Sequence, residues 1–318
     1  MERIVVALGG NALERSGGDG SWAQAVVQMR EAARGLASAV REGAELILTH
    51  GNGPQVGVLL RQNELAEREV PPRPVDVLVA ESQGQIGYLI GQELEAALAR
   101  ERSPRTVLNF PSRMVVDAKD PAFQSPSKPV GRFYSEAEAN LLRKSRGWAM
   151  SRDAARGGWR RLLPSPRPLR WLEAEAFLDW MARRKPASTV PIVAGGGGIP
   201  VLDRGQGRCE GVEAVIDKDY AAALVARTVA APRLAILTDV PGVAVGFHRT
   251  WERWLGSVSA SELREFHSRG EFSVGSMGPK VEAALEFLNA GGREALICDT
   301  TSLPRALRGQ AGTRVRPG

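Results

Sequence analysis

Short apolar runs stopped by glycines restrict this chain more than any other feature. Arg3-Ile4-Val5-Val6-Ala7-Leu8 ends at Gly9-Gly10, and Glu45-Leu46-Ile47-Leu48-Thr49 ends at His50-Gly51-Asn52-Gly53-Pro54. The first run is short and unbroken, as expected of a parallel strand buried on both faces. Between the runs, Ser21 and Gln24 make a capping-box pattern. Trp22, Val26, Met29, Ala33, Leu36 and Val40 then recur at helical spacing until Gly43. Strand, glycine turn, helix, then the same again, is the rhythm of βαβ units.

The rhythm continues, with one interruption. Residues 76–100 predict an amphipathic helix carrying Ile86, Leu89, Ile90, Leu94 and Leu98; Gly84, Gly87 and Gly91 suit close helix–helix contact there, for example between subunits. From 112 to 170 prolines, glycines and arginines crowd in and periodicity is poor except around 135–144. Between Arg143 and Arg170 nine basic residues face one acid, Asp153. This stretch reads as a protruding subdomain or lid inserted in a single domain spanning 1–318. Afterwards a helix is expected over 171–185 up to Pro186. A strand over 189–194 then runs into Gly195-Gly196-Gly197-Gly198, and a strand over 234–238 ends in Thr238-Asp239. A helix over 279–290 and a strand over 295–298 follow.

Composition narrows the classes. At 43% hydrophobic and 25% charged residues the chain is ordinary for a soluble globular protein. Cys209 and Cys298 are too few for a disulfide framework and read as reduced thiols of a cytoplasmic protein. The first apolar run is too short for a signal core, and no membrane-length run follows. A net charge of +6 suggests an anionic partner, although arginine supplies nearly all of the excess.

Lysine is scarce: six of the 42 basic residues. Two of the six open helix-like runs, in Asp217-Lys218-Asp219-Tyr220 and in Gly275-Ser276-Met277-Gly278-Pro279-Lys280. Free N–H groups and the positive dipole end favour phosphate at such places, and an ammonium adds a mobile charge. Facing one another, the two would grip the outer phosphates of a nucleotide. Asp217 and Asp219 could orient the lysines, or Asp219 could serve a helix dipole. Gly9-Gly10-Asn11, Gly51-Asn52-Gly53 and Gly195 to Gly198 would open at the carboxyl edge of the sheet, where ligands of open α/β sheets bind. There is no Walker P-loop, protein-kinase set or nucleophile elbow. His50, His248 and His267 lack metal-ligand spacing and read as structural or surface residues.

Taken together, Gly9-Gly10-Asn11-Ala12-Leu13, Thr49-His50-Gly51-Asn52-Gly53-Pro54-Gln55-Val56-Gly57, Glu81-Ser82-Gln83-Gly84-Gln85-Ile86-Gly87-Tyr88, Lys128-Pro129-Val130-Gly131, Pro164-Ser165-Pro166, Gly195-Gly196-Gly197-Gly198-Ile199-Pro200 and Asp217-Lys218-Asp219 resemble the carbamate kinases of the amino-acid kinase superfamily. The resemblance runs in order along nearly the whole chain. It implies an α/β fold with an open, mainly parallel sheet sandwiched between helices, a small protruding subdomain and a homodimer. It also implies reversible transfer between Mg-ATP and carbamate to give ADP and carbamoyl phosphate, run towards ATP in arginine or purine catabolism. By the same resemblance Lys128, Lys218 and Lys280 would meet the phosphoryl groups and Asp219 would hold the lysines. Gly9, Gly10, Asn11, Gly51, Asn52, Gly53, Gly196 and Gly197 would hold the substrate. Asp217, Thr238, Asp239, Gly275, Ser276 and Met277 would line the nucleotide, with Mg²⁺ arriving on its phosphates. Ala7 stands near the place where related kinases carry a lysine.

Two departures stand out. Arg132 occurs where the family usually has proline and would add charge beside Lys128. Pro241 follows Thr238-Asp239-Val240, without the aromatic usually found near the adenine. The rival readings are another small-carboxylate kinase of the superfamily, and a non-catalytic relative binding anions or nucleic acid through the basic 143–170 region.

Overall fold

A computed structural model describes residues 2–9, 20–153, 157–185, 188–273 and 275–318. Among these, eight strands form the main sheet in the order Ser257–Ser259, Thr313–Arg316, Glu294–Asp299, Arg233–Thr238, Glu2–Leu8, Ala44–His50, Thr189–Ile192 and Thr106–Asn109. The six from Glu294–Asp299 to Thr106–Asn109 are parallel, and Thr313–Arg316 pairs antiparallel to Glu294–Asp299 at one edge. This is the open, mainly parallel α/β sheet expected.

The central strands show why their apolar runs are unbroken. Ile4, Val6, Leu8, Leu46 and Leu48 pack on one face with helices Trp22–Arg41 and Val75–Arg100. Val5, Ala7, Ile47, Leu234 and Ile236 pack on the other with helices Lys218–Thr228 and Met277–Asn289. Because side chains alternate along a strand, cover on both faces demands an apolar residue at every position. Register then aligns the exits: Leu8 lies beside His50, and Thr238 beside Asp299. Gly9, Gly51 and Asp239 therefore emerge along one edge.

Between Arg113–Val116 and Pro168–Trp171, which pair antiparallel in a second four-stranded sheet, the chain builds a small lobe. Strands Lys128–Tyr134, Ala149–Asp153 and Gly158–Leu163 form a three-stranded sheet, and helix Glu136–Arg146 lies beside it. These strands escaped the periodicity reading because most of their residues are only half-buried, so no alternation marks them. The helix expected over 171–185 is shorter, Ala174–Arg183, because Pro168–Trp171 is a strand.

Gly87 lies close to the Asn109 side chain, while Gly84 and Gly91 have open space around their Cα atoms. One expectation is corrected here. Arg132 does not add free charge beside Lys128. Its guanidinium pairs with Glu64 and Glu138 and lies 4.1 Å from the Tyr134 ring centre. Three more arginines of this part of the chain pair with carboxylates: Arg146 with Glu67, Arg161 with Glu213, and Arg170 with Asp203.

The doubly covered sheet sets a clear energetic contrast. Ile47→Ala, in a fully buried central position, should cost about 2–5 kcal/mol in denaturant unfolding. Leu141→Ala, 65% exposed on the lobe helix, should stay within about 0.5 kcal/mol of the parent.

Candidate active site

Helix Lys218–Thr228 starts where Asp217 caps it, one carboxylate oxygen accepting from the Asp219 N–H at 3.0 Å. The other oxygen accepts from Lys128 Nζ at 2.5 Å, a lysine delivered by the small lobe. Asp219, the second residue of the helix, has a side chain only 2% exposed and lies between two ammonium groups. Lys218 bonds to its Oδ1, and Lys280 to its Oδ2 at 3.2 Å. Lys280 also donates to the Ser276 carbonyl at 3.3 Å, within its own helix Met277–Asn289. Three lysines from distant parts of the chain thus converge on two carboxylates, and the excess of positive charge invites an anion.

Electrostatics separates the lysines. Burial pushes the Lys218 ammonium pKa down, and Lys280 beside it adds to that, against the opposing pull of Asp219. Burial acts the same way on Lys280, but Asp219, Asp217 and Asp239 together outweigh it and raise its pKa. Asp217 is also opposed by burial, yet Lys128 and Lys218 hold its carboxyl well below the ordinary carboxylate range. The buried charges are tolerable because each has a partner of opposite sign.

The glycine turns crowd around this knot. Gly51 lies against the Lys218 side chain and Gly9 against the Leu237 carbonyl. Gly196 and Gly197 have φ of +65° and +86°, and a Cβ on them would sit 2.2 Å from Asn52 Nδ2 and 2.3 Å from the Ile216 carbonyl. Both the conformation and the space exclude larger residues. Asn52 starts helix Gly53–Ala66 and donates to Ser82 Oγ at 2.9 Å. Gly10 and Asn11 lie outside the described residues.

Thr238 and Asp239 leave the sheet beside a cavity of about 420 Å³ that Ser276 and Met277 also line, with Gly275 just before them. Phe247, Trp254 and Phe272 complete it, together with His248 and Glu271. Aromatic groups thus border this cavity, although the residues directly after Pro241 carry none. Phe247 and Trp254 come from the hairpin Val243–Val245 and Arg253–Leu255 and the loop it encloses, and Phe272 from the segment between helices Ala260–Ser268 and Met277–Asn289. The signal was legible: Phe247, Trp251 and Trp254 crowd into one stretch of a chain only 6% aromatic. Among the described residues no three acidic, histidine or cysteine side chains gather as a metal cage.

His50 was expected to be structural or at the surface, and it is fully buried between the loops. Its Nδ1 lies 2.9 Å from the Gly51 carbonyl, which can only accept, so Nδ1 carries the proton. Its Nε2 is buried without a hydrogen-bond partner among the described residues. Burial lowers its pKa to about 4, the Gly51 bond opposing, so the ring is neutral at neutral pH.

Residues 2–299 match the amino acid kinase family. The carbamate kinase of Pyrococcus horikoshii is 43% identical over 318 residues, 99% of this chain and 99% of that protein. That of Halobacterium salinarum is 42% identical, covering 100% of this chain and 99% of its own. Among solved structures, the Giardia lamblia carbamate kinase bound to AMP-PNP superposes with a TM-score of 0.90 at 37% identity, covering 100% of this chain and 99% of the other.

The buried neutral imidazole gives a pH signature. Above the unfolded value of 6.5 neither state is protonated. As pH falls from there to about 4, the unfolded chain binds a proton that the folded site refuses, so stability falls, by up to about 3 kcal/mol. Asp217, depressed from 3.8, adds its own loss only at still lower pH. Unfolding titrations of the parent and of His50→Asn should differ in slope between pH 6.5 and 4 and run parallel above it.

Proposed function

Because the chain belongs to the amino acid kinase family, among its carbamate kinases, we propose that it catalyses ATP + carbamate ⇌ ADP + carbamoyl phosphate. The observation that carries this reading is the meeting of Lys128, Lys218 and Lys280 over Asp217 and Asp219 at the glycine-lined edge of the sheet. Phosphoryl transfer asks for alignment and for neutralised charge on the transferring oxygens, with little covalent work by the protein. A carbamate oxygen is already anionic and attacks phosphorus without a general base, while ADP leaves as an anion. The difficulty is bringing two anions together, and converging ammonium groups and loop amides relieve it.

In this reading Lys218 and Lys280 contact the transferring phosphoryl group, with Asp219 holding both in place. Lys128 reaches over from the lobe, exchanging Asp217 for the ligand. The loops at Gly9, at Gly51 to Gly53 and at Gly196-Gly197 receive the carbamate end. The cavity beside Thr238, Asp239, Ser276 and Met277 takes the nucleoside, its base against Phe247 and Trp254. Magnesium enters as part of the Mg-nucleotide substrate, as suits an ion held mainly by phosphates. The lobe acts as a lid over bound substrates. ATP formation in arginine or purine catabolism is the proposed direction.

We also place a second copy of the chain on the helical face where Trp22 and Tyr88 stack at 6.2 Å while 45% and 59% exposed. Light scattering should give twice the 34.2 kDa chain mass, and a monomer throughout would remove this assignment.

Luminescent detection of ATP from ADP, Mg²⁺ and carbamoyl phosphate tests the activity directly. Lys218→Ala and Lys280→Ala should each lower kcat by about 10²-fold or more, the usual loss on deleting one preorganised donor. Turnover within about threefold of the parent in both variants would remove these lysines from the mechanism.

A further inference from the structure

The Pro164-Ser165-Pro166 segment has no part in the site described so far, yet it leads into the most connected side chain on this side of the molecule. The Pro164 carbonyl accepts from the Val215 N–H at 2.9 Å, just before the Asp217 cap. The Arg167 N–H then donates to Asp120 Oδ2 at 2.9 Å, so the returning leg of the lobe is pinned at both ends. From there the Arg167 guanidinium spans Glu282 and Glu286, bonding the latter at 2.6 Å, and lies 3.4 Å from the Tyr220 ring centre.

Glu282 is where these contacts meet. Its Oε2 accepts from Arg167 and, at 2.8 Å, from the Tyr220 hydroxyl. Its Oε1 lies 3.3 Å from His267 Nε2, on helix Ala260–Ser268. Glu282 stands two residues after Lys280, and Tyr220 two residues after Lys218. A bond between Glu282 and Tyr220 therefore fixes the rotation and slide of one lysine-bearing helix against the other. Arg167 ties both to the lobe that brings Lys128.

We infer that Glu282 is a positioning residue for phosphoryl transfer, bracing the helices of Lys218 and Lys280 and the lobe of Lys128 so that the ammonium groups meet over Asp219; this rests on the functional reading above. With its side chain 31% exposed and Arg167 42% exposed, the brace contributes little to stability. Its effect falls on alignment, where a displacement of about 1 Å can cost on the order of 10²-fold in rate. A role in folding alone would lower the melting temperature and leave the turnover of folded protein unchanged.

The test compares Glu282→Gln in the parent and in the Lys280→Ala background. Glu282→Gln should lower kcat about tenfold with KM for ADP within about threefold, and should add a clearly smaller factor to the loss in Lys280→Ala, because part of its effect runs through that lysine. Parent-like kcat, or an equal factor lost in both backgrounds, overturns the proposal. Should Glu282→Gln fail to fold, Tyr220→Phe and Arg167→Met remove the two donors singly, and parent-like kcat in both is equally fatal. Calorimetry with Mg²⁺ gives a readout independent of turnover: the preference for AMP-PNP over ADP should shrink at least about threefold in Glu282→Gln, since the extra phosphate is what the aligned lysines grip. An unchanged preference counts against the brace, whereas a parent that binds AMP-PNP but makes no ATP counts against the functional reading alone.

Discussion

A buried carboxylate between two ammonium groups is the constraint on which this structure depends. Asp219 has almost no contact with solvent, so its charge is tolerable only with Lys218 and Lys280 in place. Neither lysine could stay so far from water without it. The three groups hold one another, and in doing so they tie together the two helices that carry the lysines. Asp217 repeats the device at the start of the same helix, where it caps the backbone with one oxygen and receives Lys128 with the other.

The parallel sheet makes this convergence possible. Its register brings Leu8 level with His50 and Thr238 level with Asp299, so the turns after separate strands open side by side. Glycine then lets them interlock, since Gly196 and Gly197 meet Asn52 and Ile216 at distances no Cβ would permit. His50 lies under the same interlock, neutral and buried, bonded to the carbonyl of Gly51. The edge proposed to receive anions is thus built from backbone, and the charge is supplied by a few scarce lysines.

The small lobe shows how a basic segment can be misread from composition. Between Arg143 and Arg170 it carries nine basic residues. In the fold Arg146, Arg161 and Arg170 pair with carboxylates, and arginines lie over the rings of Trp148 and Trp159. The same pairing disposes of Arg132, which is spent on Glu64 and Glu138. Several of the lobe's arginines thus fasten it to its surroundings, while three of the chain's six lysines meet at the site.

By itself the sequence determined the βαβ rhythm, the sites of the glycine turns and the helix starts at Lys218 and Lys280, because these follow from periodicity, backbone freedom and capping, all local properties. The scarcity of lysine marked Lys218 and Lys280, while Lys128 was reached only through the family resemblance. Tertiary structure alone decided that Asp219 serves two lysines, that Phe247 and Trp254 line the cavity beside Asp239, and that Glu282 gathers Tyr220, Arg167 and His267. It also decided the strands of the lobe, whose half-buried residues leave no period to read. These are pairings between segments far apart in the chain, and no local pattern encodes which distant partner a side chain will meet.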